Sequence, residues 1–141
     1  MADYVIVKQD GEFRTRFWAK QEEEEQKGKM VEVEHIHQLN PYGMMLASLG
    51  SCTAIVLNTF AQYHHLNLDE VEIHLKYNRN YQKDCETCEE TENYTEEITE
   101  DLKLSGTLSQ EERQRLLNIA HACPIYKMFR EGIPVTTKLE K

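Results

Sequence analysis

Residues 35–68 contain no Asp, Glu, Lys or Arg, in a chain that is 29% charged overall. A run of that length without charge has to bury most of its surface, so it organises whatever core the protein forms. Asn40-Pro41 opens it as a helix, with Asn in the capping position and Pro at the first helical residue. Met45, Leu49, Cys52, Ile55, Val56 and Phe60 then recur at helical spacing. The opposite face is also small or apolar (Ala47, Ala54, Leu57, Ala61), which predicts a helix enclosed by protein. Gly50 in mid-helix costs about 1 kcal/mol relative to alanine, so another backbone is expected to approach closely there. The stretch is long enough for a membrane span, yet Ser48, Gly50, Ser51, Thr53, Asn58 and Thr59 are not what a lipid-facing helix gathers. A central core helix is the better reading.

The remaining composition narrows the class of protein. A net charge of −9 argues against nucleic acid or anionic membrane as partner, since both require a basic surface. The 141 residues are expected to form a single domain spanning residues 1–141. Residues 1–10 show no basic-then-apolar leader, which leads to the expectation of a cytoplasmic protein whose four cysteines are thiols.

Around the helix the pattern switches to strands. Residues 4–7 and 12–19 are strand-like and joined by Asp10-Gly11, a hairpin signal. Arg14, Arg16 and Trp18 alternate there with Phe13, Thr15 and Phe17. Four consecutive glutamates (22–25) read as a solvated loop. Residues 29–37 alternate as a third strand, 71–81 as a fourth and 98–108 as a fifth, the last on Ile98, Leu102 and Leu104. Residues 84–101 hold nine acidic and no basic residues, so much of that stretch is expected to be exposed loop. Ser109 and Glu112 form a capping box for a second helix with Leu116, Ile119, Ala120 and Cys123 inward. Pro124 disfavours helical geometry at Cys123, so that helix either kinks or a new one starts there with Cys123 as its cap. Residues 133–139 complete the pattern as a final strand after Gly132. The order β-β-β-α-β-β-α-α-β indicates an α+β protein with an antiparallel sheet.

Four cysteines and six histidines carry the candidate chemistry. Cys52 and Cys123, each on an apolar surface, are either inert core thiols or a buried two-cysteine redox site. A thiol at a helix N-terminus is favoured as thiolate, whereas desolvation in mid-helix opposes it, so Cys123 is expected to be the more acidic. Cys85-x-x-Cys88 admits three readings: exposed loop thiols, a zinc half-site lacking its other ligands, or a vicinal redox pair. His35-x-His37 on one strand face is a weaker metal candidate. His64-His65 suits a helix C-terminus, and His121 is expected on a different helical face from Cys123.

The stretch from Asn40-Pro41 through Leu-Gly-Ser-Cys52, with Ile119-Ala-His-Ala-Cys123-Pro124-Ile, resembles the OsmC/Ohr family of thiol-dependent peroxidases over nearly the whole chain. The resemblance implies an intertwined homodimer with two central helices wrapped by sheet. It also implies hydroperoxide detoxification, with Cys52 as peroxidatic thiol, Cys123 as resolving thiol, an external dithiol reductant and no required cofactor. The apolar surroundings of Cys52 suit an organic hydroperoxide. The sequence departs from the family where a glutamate is expected just after Asn-Pro, since Tyr42 and Gly43 stand there. The arginine that pairs with this glutamate falls near Gln9, leaving Arg16, with Arg14, as candidate. The alternative within the same fold is a non-peroxidase that binds a small molecule or metal, with Cys85 and Cys88 as zinc ligands.

Overall fold

A computed structural model describes residues 2–21, 25, 27–81 and 94–140. Its elements run β1 (Ala2–Asp10), β2 (Thr15–Lys20), β3 (Met30–Glu32), α1 (Pro41–Tyr63), β4 (Asn67–Tyr81), β5 (Tyr94–Thr107), α2 (Gln110–Ile119) and α3 (Pro124–Glu131). The five strands form one sheet in the order β3-β2-β1-β4-β5, every neighbouring pair antiparallel. This is the α+β, antiparallel architecture expected from the alternation.

Helix α1 begins where the sequence places it. The Asn40 side chain accepts from the Gly43 amide at 2.7 Å, and its own amide donates to Asp3 on β1. Gly43, Leu46, Gly50, Thr53, Ala54, Leu57 and Ala61 recur at helical spacing and are buried. They pack on Val5 and Val7 of β1 and Val71, Ile73 and Leu75 of β4, which share one face of the sheet through their period of two. Gly50 lies at the tightest crossing. A Cβ there would stand 2.6 Å from a Val7 methyl and 2.8 Å from a Leu75 methyl, so the close approach comes from side chains rather than from backbone. Farther along, the buried Asn58 amide donates to Gln9 Oε1 at 2.8 Å and to the Asp10 carbonyl, a polar tie that fixes helix against strand.

Enclosure by protein holds for three sides of α1 only. Met44, Ser48, Ile55 and Thr59 form an outer stripe that is exposed in the single chain. Pro41–Tyr63 does have the length and hydropathy of a membrane span, and half of its most apolar window is buried within the fold.

Several boundaries differ from the sequence pattern, among them the starts of β4 at Asn67 and of β5 at Tyr94, the latter within the stretch expected to be largely exposed loop. The Asp10 carboxylate accepts from the Glu12 and Arg14 amides, and Phe13 takes a positive φ of 64°, so the first turn is a wider loop than Asp10-Gly11 alone predicts. The third strand stops at Glu32 because the Gln38 side-chain oxygen captures the Glu34 and His35 amides and turns the chain into a short 3-10 helix, Ile36–Gln38. Residues 133–139 do not form a strand: they carry no ladder hydrogen bonds, and Ile133, Val135 and Leu139 are exposed. A strand needs a partner edge, and this segment pairs with none among the described residues.

Candidate functional site

Cys52 lies on the flank of α1 that faces the end of α2 and the start of α3. At Cys123 the chain leaves one helix and begins another: φ −98° and ψ 126° are extended, Pro124 occupies the first helical position, and the sulfur accepts from the Tyr126 amide at 3.4 Å. Of the two arrangements Pro124 allows, a new helix capped by Cys123 is the one that forms. That cap directs the Cys123 side chain inward, where it is buried beside Cys52, which is partly accessible. Two thiols distant in sequence therefore form one site.

The helix start at Cys123, expected to favour its thiolate, does not make this thiol acidic. The thiol is pushed up to about 11, chiefly by burial and then by the neighbouring Cys52 thiol. The Tyr126 amide opposes this shift and does not offset it. A single backbone donor on a short helix is weaker than removal of the sulfur from water.

A carboxylate reaches Thr53, the residue after Cys52, from β5. Glu100 pairs with Leu75 across the β4–β5 ladder, so its side chain lies on the face that carries α1. Thr53, fully buried and next to Cys52, donates its hydroxyl to Glu100 Oε1 at 3.0 Å. Burial raises the Glu100 carboxyl above the usual carboxylate range, opposed by the Thr53 hydrogen bond and the charge of His121. His121 lies in the turn after α2 and stacks flat on Tyr126, ring centroids 4.1 Å apart. Glu100 was missed by the sequence pattern, although a signal was present. In the alternation Ile98, Leu102, Leu104 the inward position between the first two is a glutamate.

The other candidates lie elsewhere. Arg16 projects to the sheet face opposite α1, because its strand neighbour Phe17 faces the helix. Its guanidinium binds Glu32 through two 2.8 Å hydrogen bonds and lies over Trp18. Within one chain it is therefore on the far side of the sheet from Cys52. Arg14 binds Asp10 at the first turn. Tyr42, where the family places its glutamate, accepts from Arg79 Nη1 at 3.0 Å and stacks on Tyr77. An arginine thus meets that position, on a phenol about 15 Å along the helix from Cys52 at the usual rise per residue.

Cys85 and Cys88 lie outside the described residues. His35 and His37 stack on each other with centroids 5.5 Å apart, in the loop and 3-10 helix rather than on a strand. His64 caps the end of α1 and lies against Phe60. Among the described residues no group of three or more His, Cys, Asp or Glu side chains is placed to hold a metal ion. An apolar groove of about 420 Å³ opens on the other flank of α1, lined by Phe17, Val33, Leu39, Met44 and Ser51, and does not include the thiols.

Comparison with known proteins agrees with this architecture. The family model described as OsmC-like protein matches residues 34–138. An OsmC-like hydroperoxide resistance protein from Jannaschia sp. CCS1 superposes with a TM-score of 0.64 at 14% identity, covering 99% of this chain and 94% of that one. The organic hydroperoxide resistance protein OhrB of Bacillus subtilis gives a TM-score of 0.52 at 17% identity, with 83% of each chain covered. No curated protein matches the chain. At these identities the two solved structures establish a shared fold.

Proposed function

The chain belongs to the OsmC-like protein family, and from that premise we propose that it reduces organic hydroperoxides through Cys52 and Cys123. The observation that carries this reading is that the fold brings the buried Cys123 thiol beside the partly accessible Cys52. The two structural neighbours are named for hydroperoxide resistance, which supports the same substrate class. Cys52, the accessible member, attacks the peroxide as thiolate. A sulfur–oxygen bond forms, the O–O bond breaks, and an alkoxide leaves while Cys52 becomes a sulfenic acid. Cys123 then displaces the sulfenic oxygen as water and closes the disulfide. An external dithiol restores both thiols by exchange, which suits a reducing, cytoplasmic setting.

The working unit in this proposal is a homodimer of OsmC-like domains. Two exposed features of the single chain support it. The outer stripe of α1 leaves Met44 39% and Ile55 47% exposed, the latter one turn from Cys52. Residues 133–139 keep a strand pattern without a partner edge, with Val135 82% and Leu139 98% exposed. A second copy that covers both would enclose the peroxide's alkyl chain and complete the mouth of the thiol site. Ile55→Glu buries a charge in that contact and is expected to convert dimer to monomer in light scattering. A monomeric wild type would overturn the assembly while leaving the thiol chemistry standing.

The reaction itself is tested by cumene hydroperoxide consumption with dithiothreitol as reductant. Wild type is expected to turn over, and Cys52→Ser to lose at least about a thousandfold, as removal of a nucleophile generally does. Undiminished turnover by Cys52→Ser contradicts the assignment.

A further inference from the structure

We propose that oxidation uncaps α3. Closing the Cys52–Cys123 disulfide takes away the acceptor that starts this helix, and α3 then opens to give the external dithiol its path to Cys123. This inference rests on the reading of Cys52 and Cys123 as a peroxide-reducing pair.

One sulfur atom serves two purposes here. Cys123 is the N-cap of α3, and its Sγ accepts from the Tyr126 amide at 3.4 Å. Ser, Thr, Asp and Asn are the preferred residues at that position, and their oxygens hold a helix start in any redox state. A cysteine holds it only while its sulfur is free to face the amide. In a disulfide the two sulfurs stand about 2 Å apart, with the dihedral about the bond near a right angle. Both cysteines are free thiols in this structure, so closure must draw the Cys123 sulfur toward α1 and away from the Tyr126 N–H.

Little else holds α3. It is eight residues long, and helices that short are marginal in water by themselves. Pro124 and Lys127–Glu131 are exposed, and only Ile125 and Tyr126 of this helix pack against the core. The Tyr126 ring is stacked by His121 at 4.1 Å and overlain by Arg130 at 5.7 Å. The other two α-helices are capped by groups that no redox step touches. Asn40 starts α1, and Ser109 starts α2 in a reciprocal pair with Glu112. Of the three, α3 is the one whose cap the reaction consumes.

The consequence falls on the return half of the cycle. In the reduced protein Cys123 is 2% exposed, so a reductant reaches its sulfur only when α3 moves. With α3 open, a thiolate of the dithiol attacks the Cys123 sulfur. A new sulfur–sulfur bond forms, the Cys52–Cys123 bond breaks, and Cys52 leaves as thiolate and takes a proton from water. The second thiol of the reductant then displaces Cys123, so the dithiol is oxidised by two electrons and both protein thiols return. Attack on Cys52 with α3 closed would instead expel Cys123, whose buried thiol is pushed up to about 11 and leaves slowly. Reduction restores the cap and closes the helix over the thiol again.

The test compares reduced and crosslinked full-length protein by hydrogen exchange and mass spectrometry. Peptides over residues 125–131 are expected to exchange about twofold to thirtyfold faster after crosslinking, the usual effect of losing an N-cap, while those of α2 keep their rate. Reduced Cys123→Ala should show the same acceleration without any crosslink. Reduced Cys123→Ser, whose oxygen replaces the sulfur as cap, should not. Crosslinked wild type is then treated briefly with glutathione and quenched in acid, and the attached glutathione is expected on Cys123. Exchange over 125–131 that is unchanged or slowed by the crosslink overturns the inference, as does glutathione found on Cys52 alone. Should wild type not react with cumene hydroperoxide, the function proposed above has failed, and the crosslink is made with diamide for the same two readings. A protein that diamide cannot crosslink overturns the uncapping as well.

Discussion

Cys52 and Cys123 lie in contact, yet the two regions that present them are built differently. Cys52 belongs to a long helix pinned to a sheet, with its flank partly open. Cys123 lies between two short helices, with its sulfur buried and its proton held. Position at a helix N-terminus favours a thiolate, and burial opposes it; here burial wins. The lesson is that a helix end sets thiol acidity only when the sulfur stays close to water. In the proposed reaction the open thiol meets the substrate, and the closed one waits for it.

The sharpest way to break that contrast is to exchange the roles by mutation. With Cys123→Ser, the first oxidation of Cys52 should proceed at nearly the wild-type rate. Steady-state turnover should fall about tenfold to a hundredfold, because the sulfenic acid then waits for a bimolecular reductant instead of a neighbour. Stopped-flow oxidation followed by dimedone trapping reads both parts. Equal loss from Cys52→Ser and Cys123→Ser in the first step would erase the distinction between the two regions.

A smaller effect tests the pinning of the helix. Gly50→Ala places a methyl within 2.8 Å of both Val7 and Leu75, and α1 must shift to accept it. A loss of about 1–3 kcal/mol is expected in urea unfolding, as for other overpacked cores. Disulfide closure should slow in the same variant, since the shift moves Cys52 against Cys123. A stabilised Gly50→Ala, gaining the helix propensity of alanine with no penalty, would show that the crossing is loose.

The smallest effect concerns pH. Folding raises the Cys123 thiol from 9.0 to about 11, so the folded state favours the protonated form. The associated stability is whole below pH 9 and is lost as pH rises toward 11, amounting to at most about 2–3 kcal/mol. The urea midpoint of wild type should therefore fall across that window more than the midpoint of Cys123→Ala. Parallel curves would show that burial does not hold the proton.

Much of this architecture is legible in the residues. The uncharged stretch with Asn40-Pro41 marks α1, and period-two alternation marks β1, β4 and β5, because their buried and exposed faces differ in polarity. Residues 133–139 alternate just as well as 98–108. The second segment pairs with β4, and the first pairs with no strand among the described residues, since pairing is a property of neighbours and not of sequence period. The two thiols are legible as a pair through their contexts, but their proton affinities are not. Those depend on burial depth, which the cap at Pro124 determines only in three dimensions. Arg16 is misleading as a candidate because an alternating strand gives adjacent residues opposite faces, and Phe17 takes the one toward α1. Glu100 is hidden for a related reason: a polar residue within an apolar alternation reads as an interruption, when it is the inward residue that Thr53 contacts.

The central claim is that Cys52 and Cys123 act as one redox pair, and it is tested most directly by mapping bonds. Reduced native protein is treated with one equivalent of cumene hydroperoxide, quenched in acid with alkylating reagent, and digested for peptide mass spectrometry. A Cys52–Cys123 crosslink is predicted, formed with release of one equivalent of cumyl alcohol. Recovery of both cysteines as alkylated thiols while the peroxide remains intact would contradict the account.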